Sequence, residues 1–284
     1  MNKFVVRTIT SVLFVAIMLA GFLKGIGMIA LFALITGMAI WEFTGLVNER
    51  PNVKVNRFIS TAAGVYFFLS VAGYCSGLTP SAVFIPYLLT VIYLFISELY
   101  TKSDDAINDW AYTMMSQMYI ALPFSCINIL AYTPEYNLIL PLSVFIFLWM
   151  SDTGAYCIGS LLGKHKLFPR ISPAKSWEGS IGGGVLALLV SQLLSLADNA
   201  QICESLGLNG HLTGLTSLQW AGLALVVVFA GTWGDLVESL FKRTLGIKDS
   251  GNILPGHGGM LDRFDSSLMA IPAAVIYLYT ITLI

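Results

Sequence analysis

Between Ser239 and Asp265 the chain packs four cations (Lys242, Arg243, Lys248, Arg263), three acids (Asp249, Asp262, Asp265) and His257 into one stretch between two apolar runs. A loop that only kept itself wet would need no acids. It would also not set Asp262, Arg263 and Asp265 at the mouth of a run that stays apolar to the C-terminus. Asp262 and Asp265 are three apart, a spacing that stacks two carboxylates on one face of a helix. Two such groups repel unless a cation lies between them. Mg²⁺ takes one or two carboxylates and leaves its other positions for water and phosphate oxygens, so the pair suits a metal–nucleotide. An Asp262–Arg263 surface pair with Asp265 as a cap is the plainer alternative.

Asp235 and Glu238 repeat that spacing inside an apolar run. A buried lone carboxylate is costly, or it takes up a proton. A cation shared with Asp262 and Asp265 removes the cost. Asp235 is the better third ligand, because Gly231 and Gly234 before it leave room for close approach. Glu238 could instead pair with Lys242 at helical spacing. His257 lies among Gly256, Gly258 and Gly259, whose freedom lets a turn aim backbone N–H groups at an anion. A solvated or structural histidine fits the same spacing.

The second dense stretch runs from Ser172 through Pro173, Lys175, Ser176 and Glu178 to Gly179. Ser172-Pro173 reads as a helix cap followed by proline at the first helical position. The free N–H groups of a helix start suit phosphate, with Lys175 and both hydroxyls beside them. The glycine spacing of a Walker motif is missing, and an ordinary capped helix start explains the same residues. Asp152 sits well inside another apolar run, where an acid is a functional candidate by default. Glu42 and Glu98 lie near helix ends and read as interfacial.

The elements that must hold these residues are set by composition. The chain has 284 residues, 56% hydrophobic and 11% charged. A soluble domain carries roughly 25% charge, so a water-facing surface is excluded. Apolar runs lie at about 5–23, 25–47, 58–78, 80–99, 110–132, 137–158, 180–198, 217–240 and 264–284. Each approaches the ~20 residues that cross a bilayer. The first run continues too far for a cleavable leader and reads as the first membrane helix. The expected fold is all-α, a polytopic transmembrane protein of about nine helices. Nine crossings put every one of the 15 Lys and Arg residues except Lys24 on one side. The positive-inside rule makes that side, and the N-terminus, cytoplasmic. Residues 1–284 then form a single integral membrane domain. Residues 1–135 are N-terminal helices, and residues 136–284 hold the catalytic helices and cytoplasmic-face loops. Cys75, Cys126, Cys157 and Cys203 show no C-x-x-C spacing and read as small apolar residues.

The run from Ser239 to Asp265 resembles the signature of the phosphatidate cytidylyltransferases, or CDP-diacylglycerol synthases. The matching positions are Ser239, Lys242-Arg243, Lys248-Asp249, His257-Gly258-Gly259 and Asp262-Arg263-x-Asp265. Asp152-Thr153-Gly154, Ser172 to Gly179 and Gly234-Asp235 to Ser239 resemble the family in the same order. Two positions depart from its commonest form, Ala174 (often Lys) and Ser176 (often Thr). The resemblance implies that CTP and phosphatidate give CDP-diacylglycerol and pyrophosphate in phospholipid biosynthesis. It implies Mg²⁺, with a second cation as an option, on Asp235, Asp262 and Asp265. Lys242, Arg243, Lys248 and Arg263 would neutralise phosphates. Ser172, Lys175 and Ser176 would close over nucleotide or lipid phosphate. Asp152 and Asp249 count with the substrate-binding residues, and His257 is a phosphate donor rather than a base. The implied location is the inner (plasma) membrane, with the site on the cytoplasmic face. A homodimer is an option that no spacing derives, and nothing points to nucleic acid. Two other readings stay in view: a CTP-using polyprenol kinase, which would release CDP, and an ion-coupled transporter. A transporter calls for a midplane site and often for paired repeats; here the acids gather toward one face and no repeat is evident.

Overall fold

The computed structural model describes residues 3–101, 103–132, 136–198, 213–251 and 258–282. Lys102, Cys203 and His257 lie outside them. The helices are α1 (Lys3–Phe22), α2 (Gly25–Val47), α3 (Arg57–Cys75), α4 (Ile85–Ser97, entered by a 3₁₀ turn at Ser81–Phe84), α5 (Ala106–Ser116), α6 (Leu122–Ala131), α7 (Ile139–Leu162), α8 (Trp177–Ala197), α9 (Ser217–Thr244), α10 (Leu261–Phe264) and α11 (Ser267–Thr282). Among the described residues, seven helical segments are long and apolar enough to cross a membrane, counting α5–α6 and α10–α11 each as one. Thr8–Phe22 and Ser81–Ser97 are shorter apolar helices. Every apolar run of the sequence thus becomes helix, and the chain is a polytopic helical membrane protein.

Two local departures have sequence causes. α5 and α6 join through a wide π turn at Gln117–Ala121. Pro123 has no N–H to give back along the helix, and its ring crowds the carbonyl four residues earlier; the wider turn relieves both. The second adds one small sheet to an otherwise helical chain. Lys166–Phe168 (β1) and Ser172–Ser176 (β2) form a small antiparallel hairpin.

By their own contacts the residues form two compact units. Unit one comprises residues 1–132 and 242–264. Its core carries a cluster of phenylalanines: Phe264 meets Phe14, Phe32 and Phe124 edge to face at centroid distances of 5.7, 6.1 and 5.6 Å. Such pairs add to plain area burial. Phe264 is thereby buried among helices α1, α2 and α6, and it anchors the end of the segment that begins at Lys242. The acid Asp109 is fully buried and accepts from the backbone N–H of Lys54 at 2.6 Å, tying α5 to the α2–α3 loop.

Unit two comprises residues 133–241 and 265–284. Helices α7 and α8 cross backbone to backbone. A Cβ on Gly183 would lie 2.5 Å from the carbonyl oxygen of Ser151, and one on Gly154 would lie 2.9 Å from that of Gly182. No side chain fits there, so the Gly182-Gly183 pair serves helix packing. Trp220 of α9, fully buried, packs edge-on to Phe147 of α7. Tyr277 of α11 donates to the Gln219 carbonyl at 3.0 Å.

Candidate active site

In unit two the site begins at the hairpin. Ser172 and Pro173 are strand, not the start of a helix. The residue before a proline is pushed to extended backbone, which a cap and a strand share; the pairing with β1 makes it strand. The cap is Ser176, extended at φ −129° and ψ 155°, whose Oγ accepts from the Gly179 N–H at 3.2 Å. Glu178 supplies the acid of the first turn, which suits the positive end of the helix. It also holds the hairpin: its carboxylate accepts from the backbone N–H of Lys164 and of His165, each at 3.2 Å, and from the His165 ring. The strand therefore delivers Lys175 and Ser176 to the start of α8.

There they line a cleft of about 370 Å³ with Asp152, Tyr156 and Ser160 of α7 and Thr232 of α9. Asp152 is an exposed side chain on its wall. The Lys175 ammonium stands 2.6 Å from Asp235, and the Ser239 hydroxyl donates to the same carboxylate at 3.2 Å. Glu238, one turn below, is completely buried. The space that Gly234 leaves beside Asp235 is taken by backbone. A Cβ on Gly234 would come within 2.9 Å of the Asp265 carbonyl oxygen. The backbones that carry Asp235 and Asp265 thus touch. Asp265 itself lies in the break between α10 and α11, where its carboxylate accepts from the Ser266 N–H at 2.5 Å. The expected stacking of Asp262 and Asp265 on one unbroken helix is corrected accordingly, because α10 stops at Phe264.

In unit one the signature segment is organised by its own backbone. α9 ends with Gly246 at φ +72°. The Gly246 N–H donates to the Arg243 carbonyl and the Ile247 N–H to the Lys242 carbonyl, at 3.1 and 3.0 Å. This is a Schellman turn, which needs the left-handed conformation that glycine adopts freely. The chain then returns over α10. Asp262 accepts from Lys242 at 2.7 Å and from the N–H groups of Ser250 and Gly259, each at 2.8 Å. Arg243 donates to the Ile247 carbonyl at 3.0 Å. Lys248, Asp249 and Arg263 are exposed.

Glu42 was read as interfacial, and the structure corrects this. It is buried on α2, and its carboxylate accepts from the N–H of Met260 at 2.8 Å, from that of Leu261 at 3.2 Å and from the Ser250 hydroxyl. A Cβ on Gly259 would fall 2.0 Å from Glu42 Oε1. So one reason for glycine at 259 is a carboxylate more than two hundred positions away. An acid inside an apolar run was the available signal, the same one that singled out Asp152.

Asp235, Asp262 and Asp265 offer hard oxygen donors of the kind Mg²⁺ accepts. Among the described residues no three His, Cys, Asp or Glu side chains gather closely enough to hold an ion by themselves. Each of two predicted ligands, Asp235 and Asp262, is matched to a predicted phosphate-binding lysine, Lys175 and Lys242. Each pair lies within one unit, Lys175–Asp235 in unit two and Lys242–Asp262 in unit one.

The sequence model described as the Cytidylyltransferase family matches residues 5–281. A phosphatidate cytidylyltransferase of Haemophilus influenzae is 34% identical over 253 residues, 83% of this chain and 84% of that protein. One from Staphylococcus saprophyticus is 32% identical over 284 residues, covering 97% of this chain and 99% of its own length. One from Staphylococcus epidermidis is 34% identical over 268 residues, 94% and 96% of the two chains.

Proposed function

The chain belongs to the cytidylyltransferase family, among the phosphatidate cytidylyltransferases, and from that premise we propose that it transfers the cytidylyl group of CTP to phosphatidate, giving CDP-diacylglycerol and pyrophosphate. The observation that carries the reading is the polar cleft at the start of α8, where Lys175, Ser176 and Asp152 meet beside Asp235. A phosphate oxygen of the lipid attacks the α-phosphorus of CTP. One P–O bond forms, the bond to the bridging oxygen of the β-phosphate breaks, and pyrophosphate leaves with that electron pair. The attacking group is already an anion, so no general base is required. The protein's work is to position and to neutralise. Lys175 and Ser176 hold a phosphate at the α8 terminus, whose dipole favours negative charge. Lys242, Arg243, Lys248 and Arg263 offset the charge of the other phosphates. His257 donates to phosphate.

The cofactor is Mg²⁺, held by Asp235, Asp262 and Asp265, with a second cation as an option. Their oxygen donors fit a hard ion, which when bound would neutralise phosphate charge. The site faces the cytoplasm of a bacterial inner membrane. This placement rests on the charge asymmetry of the loops, and it lets soluble CTP and bilayer phosphatidate reach one place.

The test is direct. Protein in detergent, given phosphatidate, α-labelled CTP and Mg²⁺, is expected to move label into lipid and to release pyrophosphate. Label that enters lipid only from γ-labelled CTP, with CDP released, would replace the transferase reading with a lipid kinase.

A further inference from the structure

Helices α8 and α9 leave a second cleft beside the polar one. It measures about 400 Å³ and is lined almost wholly by apolar side chains, among them Trp177, Ile181, Leu188, Leu225, Phe229 and Trp233. The two clefts adjoin, for Ser180, Val228 and Thr232 line both. On α8 the apolar cleft runs from Trp177 to Leu188, a rise of roughly 16 Å at 1.5 Å per residue. That is comparable to an extended fatty chain. A flat apolar flank would meet bulk lipid tails and nothing more. This one is concave, and it borders the cleft that Lys175 lines.

Gly184 fixes its depth. It lines the apolar cleft, and a Cβ built on it meets no atom within 4 Å. Its neighbour Gly183 is the opposite case, closed against the Ser151 carbonyl at 2.5 Å. Helix packing therefore accounts for glycine at 183 and does not account for it at 184.

We propose that the cleft between α8 and α9 seats one acyl chain of a diacyl phosphate lipid, with Gly184 keeping the channel open. The proposal rests on the transferase reading above and takes the phosphate held by Lys175 and Ser176 to be that of the lipid. Lipid tails are as apolar as the cleft, so seating a chain gains little from leaving water. The contribution is orientation: a chain held here limits how the phosphate is presented, and a chain too short to reach Gly184 escapes that control.

Gly184→Leu places a side chain in the channel from a Cβ that meets no atom within 4 Å. Its catalytic efficiency with dihexadecanoyl phosphatidate is expected to fall about tenfold, as expected for steric discrimination in an apolar pocket. The efficiency with dihexanoyl phosphatidate and the KM for CTP should stay at wild-type values. A fall of equal size for both lipids would overturn the proposal. A second measurement needs no turnover. Phosphatidate carrying a diazirine at mid-chain is expected to label residues 181–188 and 225–233 of the wild-type protein. Unlabelled phosphatidate should compete, and phosphatidylcholine should not. Labelling spread over all apolar helices, or removed equally by phosphatidylcholine, would show bulk lipid only. If the wild-type protein moves no cytidylyl group, the reaction reading fails, while the labelling still decides where the chain lies.

Discussion

At the scale of single residues, charges meet in pairs. Lys175 serves Asp235 and Lys242 serves Asp262. Asp235 and Asp265 ride on touching backbones, which fits a role for both at one ion. Asp265→Asn keeps the volume and removes the charge. It is expected to abolish cytidylyl transfer while membrane insertion and melting temperature stay near wild type; full activity in that variant would remove Asp265 from the site. Glu42 acts at a distance. Glu42→Ala would leave the N–H groups of Met260 and Leu261 without their acceptor, and a buried donor without a partner costs about 1–3 kcal/mol. We expect a lower melting temperature in detergent together with at least a tenfold loss of kcat. Glu42→Gln, which keeps one carbonyl oxygen, should recover part of both. A stable, fully active Glu42→Ala would show that the signature segment holds its shape without α2.

At the scale of elements, the hairpin and the first turn of α8 form one device. Ser176 caps the helix and lines the cleft. Loss of a serine cap costs about 1 kcal/mol. Ser176→Ala should therefore lose both stability and activity, whereas Ser176→Thr, which keeps the hydroxyl, should lose little of either. The crossing of α7 and α8 depends on missing side chains. Gly183→Val drives a side chain into the Ser151 carbonyl and is expected to prevent folding, read as loss of monodisperse protein on size exclusion. A well-folded Gly183→Val would refute the backbone contact. The helices themselves were legible because a run of about 20 apolar residues has one way to satisfy its backbone in lipid. The hairpin was not. Its few residues carry no period, and Ser-Pro serves a helix start and a strand equally well until the partner strand is known.

At the scale of the molecule, the segment from Lys242 to Phe264 packs within the unit built from the first six helices. With the cytoplasmic N-terminus proposed from the loop charges, nine crossings would put the C-terminus outside. A C-terminal alkaline phosphatase fusion is expected to be active and a C-terminal green fluorescent protein fusion dark; the reverse pattern would mean an even number of crossings or an N-terminus outside. Hydropathy alone determined the helical membrane class, since apolar length and the need to satisfy every backbone group leave no alternative. The types and spacing of Lys, Asp, Gly and His from Ser239 to Asp265 likewise determined the family resemblance. Only the tertiary structure decided that Glu42 holds the turn before Asp262, that Ser176 rather than Ser172 caps α8, that Lys175 lies on Asp235, and that Gly183 is closed while Gly184 is open. Each of these depends on which surfaces meet, and partners distant in sequence leave no local period to read.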